Sequence, residues 1–161
     1  IEYRGFEIDG VYTMTDTITM VASLGYVHSK YKNLISDLTG DFIIDALDYA
    51  LEVPRAAPLT YSLGFNIDGN LGTWRSITRI SYYHRDKSYY NENNQGFINE
   101  QDILNFGYDI YSSDGKINIG IYGKNLSNEV KHGGDTNLSF GGTFAPLAKG
   151  KIVGAELVYK F

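Results

Sequence analysis

The chain has 161 residues, of which 43% are hydrophobic, and its formal net charge is −5. The negative charge and the lack of a Lys/Arg cluster argue against nucleic-acid binding, and the absence of cysteine excludes a disulfide scaffold or a thiolate metal site. No stretch approaches the roughly 20 apolar residues of a membrane-spanning helix, but strands that alternate lipid-facing and water-facing residues keep a near-neutral mean hydropathy, as the value of −0.24 is here.

Alternating apolar and polar residues predict the first two strands. These strands span Tyr3–Thr15 and Ile18–Lys30, and the tight turn Thr15–Thr17 joins them. In the first, even positions are mostly apolar, whereas odd positions include Glu7 and Asp9. Because successive side chains of a strand point to opposite faces, each strand has one apolar and one polar face.

The long connection that follows, Tyr31–Pro58, contains a predicted helix. Between Asp41 and Leu51, apolar residues recur at three- and four-residue spacing. The pattern stops before Val53-Pro54, where a residue preceding proline disfavours helical backbone. We interpret this helix as part of a loop and not of the framework of strands.

Five further segments show the same two-residue period. They are Leu59–Ile67, Thr73–His84, Asp102–Ser112, residues 117–122 and Val153–Phe161. Short turns at 68–72 and 113–115 alternate with long connections at 85–101 and 127–150. Outer-membrane barrels have short periplasmic turns and longer extracellular loops, so this rhythm predicts such an arrangement.

The strand lengths favour a membrane barrel over a soluble one. Segments of about ten residues cross a bilayer when tilted, whereas soluble strands average five or six. Tyrosines also lie near strand ends on the apolar face, as in interfacial girdles. We therefore predict an all-β, antiparallel up-and-down transmembrane β-barrel segment of about seven strands. A soluble lipocalin-like barrel, with its apolar face inward, has the same period and stays open as an alternative.

Several motifs resemble known outer-membrane proteins. The alternation at Leu157, Tyr159 and Phe161 resembles the terminal strand that the barrel-assembly machinery reads. Residues 4–9 (RGFEID), 53–58 (VPRAAP) and 122–129 (YGKNLSNE) resemble, in this order, the late-barrel motifs of TonB-dependent receptors. The resemblance covers essentially the whole chain.

This resemblance implies that residues 1–161 form the C-terminal portion of a receptor barrel of roughly 22 strands, without the plug domain and the earlier strands. The chain also starts inside a strand-like pattern, with no signal peptide.

The implied function is TonB-dependent uptake of a scarce ligand, such as a ferric siderophore, across the outer membrane of a Gram-negative bacterium. The implied partners are outer-membrane lipid, the ligand, the barrel-assembly machinery, and TonB through the absent region. A passive porin is the alternative within outer-membrane barrels. Seven strands would form an open sheet with two free edges.

Candidate ligand contacts lie in the predicted extracellular loops. Arg85, Tyr89 and Tyr90 cluster in one loop and His132 lies in another. Arginine and aromatic side chains can pair with or stack on a ligand. A polar, solvated loop is the alternative interpretation.

Neither a metal site, a cofactor nor an enzyme is predicted. His28, His84 and His132 lack the paired spacing of a zinc site, and no GxSxG nucleophile motif occurs. Acidic residues on the polar face are predicted to pair with basic residues or face water rather than act in catalysis. The acidic residues are Glu7, Asp9, Asp109 and Glu156, and the basic residues are Arg75, Arg79 and Lys124.

Overall fold

One antiparallel sheet of seven strands organises the chain, in a computed structural model that describes residues 1–131, 136–138 and 142–161. In sheet order the strands are β1 (Glu2–Thr13), β2 (Ile18–Lys30), β3 (Leu59–Leu71), β4 (Trp74–Arg85), β7 (Gln101–Tyr111), β8 (Ile117–Lys124) and β11 (Ile152–Tyr159). Two small two-stranded sheets lie outside it, β5 (Ser88–Tyr89) with β6 (Phe97–Ile98), and β9 (Thr136–Leu138) with β10 (Gly142–Phe144).

The register aligns like residues across the sheet. Ala22 of β2 pairs with Leu63 of β3, which pairs with Tyr82 of β4 and then Leu104 of β7. A slip of one residue would move each strand's apolar set to the opposite face, so the alternation itself specifies the pairing.

The sheet therefore has two chemically distinct faces. The apolar face carries Phe6, Ile8, Tyr12, Leu24, Tyr26, Leu63, Phe65, Ile80, Leu104, Ile119, Ile121, Val153 and Leu157. The polar face carries Glu7, Asp9, Ser23, Ser62, Asn66, Arg79, Asn105, Asp109, Asn118 and Glu156.

The apolar face is not packed into a core. Among the described residues, the buried hydrophobic side chains are Tyr31, Val53 and Ile98, and all three lie outside the seven-stranded sheet. By contrast, Ile8 is 62% exposed and Leu157 is 71% exposed. The apolar side chains thus do not enclose a dry interior within this chain.

Short and long connections lie at opposite ends of the sheet. Residues 14–17, 72–73 and 112–116 form short turns at one end, here called the turn end. Gly72, at φ 63°, closes the second turn, where left-handed backbone suits glycine. The predicted turn at 68–72 was therefore placed too early, because β3 continues to Leu71. The long connections leave the other end, here called the loop end.

The sheet is open, as predicted. Within the described residues, β1 and β11 each pair with one neighbouring strand and form its two edges. No helix among the described residues is long and apolar enough to cross a membrane.

The helix predicted at Asp41–Leu51 is much shorter. Only α1 (Ala46–Tyr49) forms, beginning after the N-cap Asp45, whose side chain accepts the Leu47 N–H at 2.7 Å. Upstream, Phe42 has a φ of 71°, which a helix cannot contain. The spacing of apolar residues alone does not show that the helix cannot extend to this residue.

Candidate ligand-binding site

One cross-strand row on the polar face combines both charge signs at the loop end. Glu7 of β1 lies in register with Gly25, Thr60, Arg85 and Gln101 on the next four strands. Residues that pair across antiparallel strands point to the same side of the sheet. The row therefore places one carboxylate and one guanidinium on the same face, with two small residues between them.

Arg85 lies at the end of β4, and one N–H of its guanidinium lacks an acceptor among the described residues. Its Nε atom is buried and has no hydrogen-bond partner. None of the ion pairs among the described residues includes Arg85. A buried N–H without an acceptor is unfavourable, and such groups in native proteins call for a specific explanation.

A cleft of about 350 Å³ lies over this row. Its polar lining residues include Glu7, Thr60, Arg85 and Arg55, the last from the connection between β2 and β3. The Arg55 backbone has a φ of 59°, a conformation that non-glycine residues rarely adopt. Its N–H donates to the Tyr89 carbonyl oxygen at 2.7 Å, which ties this connection to the β5–β6 hairpin.

Cations of the chain lie over aromatic rings in the connection between β4 and β7. The Arg55 guanidinium is 4.8 Å from the Tyr90 ring centroid, and Lys87 Nζ is 5.0 Å from that of Tyr89 and 4.5 Å from that of Phe97. Cation–π contacts of this kind contribute about 0.5–1 kcal/mol at exposed sites. The structure therefore places the predicted contacts Tyr89 and Tyr90 beside Arg55, which sequence analysis did not select.

Of the three histidines, the structure describes His28 and His84. His132 lies outside the described residues. His84 Nδ1 is 2.7 Å from an Asp102 carboxylate oxygen, Nε2 is 3.0 Å from one of Asp86, and the ring stacks on Tyr61. In the described parts of the chain, no three His, Asp or Glu side chains are grouped so that they could hold a metal ion.

The predicted pairing of acidic with basic residues on the polar face is found in part. Asp109 pairs with Arg79, as predicted. Arg75 instead pairs with Asp68, at 2.6 Å, and Lys124 lies 5.7 Å from the Tyr122 ring centroid.

Carboxylates in the connection between β2 and β3 accept hydrogen bonds from its own backbone. Asp48, fully buried, accepts the N–H groups of Asp45 at 2.9 Å, Leu38 at 2.7 Å and Thr39 at 3.0 Å. These hydrogen bonds lower the pKa of Asp48 to about 2. Because the N–H groups occupy its oxygens, Asp48 holds the loop together rather than offering a ligand site.

The predicted assembly residues lie at the turn end. Leu157 and Tyr159 are exposed on the apolar face of β11. Phe161 is also exposed, and its ring meets that of Tyr159 edge to face, with the centroids 5.1 Å apart. Alternate apolar side chains therefore line this end of the last strand.

Comparison with known proteins identifies the fold. No protein-family model matches the sequence, and no curated protein matches it. Solved structures do match. The ferric yersiniabactin uptake receptor FyuA from Yersinia pestis matches with a TM-score of 0.81 at 15% identity, over 99% of this chain and 23% of that one.

Two receptors from Acinetobacter baumannii match similarly, each over 99% of this chain. They are the ferric preacinetobactin receptor BauA (TM-score 0.75, 13% identity) and the siderophore receptor PiuA (TM-score 0.73, 17% identity). This chain covers 22% of each. It thus spans less than a quarter of the length of these receptors and shares their fold over that part, which confirms the resemblance predicted from the sequence.

Proposed function

We propose that the chain is the C-terminal portion of the barrel wall of a TonB-dependent receptor, which takes up a scarce ligand such as a ferric siderophore across the outer membrane of a Gram-negative bacterium. One observation carries the proposal. A long-stranded antiparallel sheet that shares the fold of siderophore receptors leaves its apolar face open and presents charged residues on the opposite face.

The exposed apolar face supports a lipid partner. Apolar surface is driven from water into an apolar environment, and contiguous exposed apolar patches are rare on soluble monomers. In hydrocarbon, each backbone N–H and C=O must also be paired within the protein, which a closed barrel achieves. We therefore place the apolar face against outer-membrane lipid and the polar face in the lumen.

The loop end is the proposed ligand-facing side. Arg85, Tyr89 and Tyr90 lie there, and we include His132 because its connection leaves the same end. TonB would act through parts of the receptor outside this chain. Leu157, Tyr159 and Phe161 are the proposed signal for the barrel-assembly machinery.

Deletion of the gene for the complete receptor tests this function. Under iron limitation, the deletion strain is expected to lose growth on at least one ferric chelate of a panel of siderophore classes, and the intact gene should restore it. Radioactive iron uptake with that chelate should require TonB. Undiminished growth and uptake on the entire panel would contradict the proposal.

The uptake measurement distinguishes the receptor from a passive porin, and cell fractionation distinguishes it from a soluble barrel. A passive porin would support uptake without TonB. A soluble lipocalin-like barrel would be found in the periplasmic fraction, whereas the receptor should be recovered in the outer-membrane fraction and be extracted only with detergent.

A further inference from the structure

The unpaired Nε of Arg85 indicates an acceptor other than the residues that the structure describes. Its Nε is buried without a hydrogen-bond partner, in a strand residue positioned by pairing on both sides, to Thr60 and to Gln101. Arginine stays protonated in proteins and presents its donors in a rigid planar fork. An anionic group would both satisfy the donor and neutralise the charge.

Glu7 is not that acceptor in this structure. It lies in the same row, but Gly25 and Thr60 separate it from Arg85, so the two residues are three strand spacings apart. With strands about 4.8 Å apart, their backbones are roughly 14 Å apart. None of the ion pairs among the described residues joins them, so Glu7 and Arg85 lie on opposite sides of the cleft.

The space between them suits part of a ligand. The cleft of about 350 Å³ is at the small end of ligand pockets. A Cβ at Gly25 would approach Thr60 Oγ1 to 2.8 Å, so the cleft depends on the missing side chain there. This volume accommodates the part of a ligand that carries an anionic group.

Arg55 adds a second positive charge to the same cleft. Its guanidinium is held over the Tyr90 ring, and none of the ion pairs among the described residues includes it. The two guanidiniums attract an anion to the cleft, whereas the Glu7 carboxylate repels it. The charged residues that line the cleft are thus two cations and one anion.

We propose that this cleft is a subsite for a carboxylate group of the transported ligand, with Arg85 as its bidentate partner, Arg55 as the second cation and Glu7 as the group that fixes its orientation. The planar fork of a guanidinium matches a carboxylate in geometry. This proposal rests on the proposed function, because it names the chemistry of the ligand.

Arginine labelling tests the subsite without knowledge of the ligand. The complete receptor in detergent is treated with phenylglyoxal, with millimolar citrate or with sodium chloride at matched ionic strength, and the labelling rate of each arginine is read by mass spectrometry. Citrate is expected to slow labelling of Arg85 and Arg55, but not of Arg75, which lies on the same face at the turn end and pairs with Asp68. Equal labelling of Arg85 in both solutions would overturn the subsite.

Uptake measurements then test whether the subsite contributes to transport of the ligand. Arg85→Gln in the complete receptor is expected to reduce uptake of a carboxylate-bearing ferric chelate roughly tenfold or more, since a charge-assisted hydrogen-bonded pair is lost. Arg75→Gln, with the same loss of charge, should leave uptake near wild type, and an equal loss in both variants would contradict the subsite. If deletion of the receptor changes uptake of no chelate, the proposed function fails, while the labelling result still decides whether the cleft binds carboxylates.

Discussion

Asp48 shows how one residue organises a long connection. Its buried carboxylate accepts backbone N–H groups from both sides of the loop, from Leu38 and Thr39 and from Asp45. Asp48→Asn keeps the shape but replaces one acceptor oxygen with a donor. Since Leu38 and Thr39 share one oxygen and Asp45 uses the other, we expect amide hydrogen exchange to speed up about tenfold or more on the side that faces the new NH₂ group, at Asp45 or at Leu38 and Thr39. Asp41→Asn is the control, because among the described residues that carboxylate accepts a hydrogen bond from the nearby Ile43 N–H and from no other group.

The same carboxylate predicts a response to acid. The pKa of Asp48 is about 2 in the folded loop, below its ordinary value of 3.8. A group with a depressed pKa contributes stability that is fully present above the ordinary pKa and is lost as the pH falls towards the folded one. Protection of the Leu38 and Thr39 amides should therefore decline between about pH 4 and pH 2. Protection that stays constant over this range would contradict the role of the ionised carboxylate.

Asn125 stabilises the connection after β8 through its side-chain amide. Its Nδ2 donates to the carbonyl oxygens of Glu129 at 3.1 Å and Lys149 at 2.9 Å, and its Oδ1 accepts the Glu129 N–H at 2.9 Å. Asn125→Ala should lower the free energy of unfolding by about 2 kcal/mol or more, because buried partners lose their hydrogen bonds. Asn118→Ala is the matched control, since the buried Oδ1 of Asn118 has no partner, and should cost less than about 1 kcal/mol. Denaturant titration of the receptor in lipid vesicles measures both.

At the scale of elements, β3 offers a direct test of which face meets lipid. Phe65 and Asn66 are neighbours at the middle of this strand and lie on opposite faces. An arginine on the lipid face near the bilayer midplane costs about 2–4 kcal/mol, whereas lumen positions tolerate charge. Phe65→Arg should therefore destabilise the receptor in vesicles by that amount, and Asn66→Arg by much less. The reverse order would mean that the apolar face points inward.

The strands could be predicted from the sequence, because their signal is local. Alternation at successive residues predicted Ile18–Lys30, which are the bounds of β2. The helix prediction was poorer, because the spacing of apolar residues between Asp41 and Leu51 does not show where backbone N–H groups find acceptors. Side chains such as Asp37, which accepts the Phe42 N–H at 2.6 Å, satisfy them outside a helix.

The candidate site could be predicted only in part. Arg85, Tyr89 and Tyr90 were selected because residue type and loop position are visible in the sequence. Arg55 was not selected, because its role depends on contacts with Tyr89 and Tyr90, more than thirty residues further along the chain. The cleft itself arises from the register that aligns Gly25 with its neighbours, which no single segment encodes.

At the scale of the whole molecule, the chain's share of the strands in the proposed barrel is larger than its share of the length of the matched receptors. Seven strands are about a third of a barrel with the roughly 22 strands of plugged outer-membrane transporters. The chain nevertheless covers only 22–23% of the length of the matched receptors. Part of the length of the proposed receptor is therefore left for a domain other than the barrel wall. Such a domain would contact the polar face of this sheet.

The open sheet predicts how the 161 residues behave when produced alone. Within the described chain, β1 and β11 each have one unpaired edge, and unpaired edges are costly in hydrocarbon and promote strand addition in water. We expect the isolated chain, refolded in detergent, to elute as heterogeneous oligomers and to be digested by protease, whereas the complete receptor should be monodisperse and show heat-modifiable gel migration. Size-exclusion chromatography with light scattering measures this. A monodisperse, protease-resistant monomer of the isolated chain would show that its edges close without further strands, and the proposed place of the chain in a larger barrel wall would then be wrong.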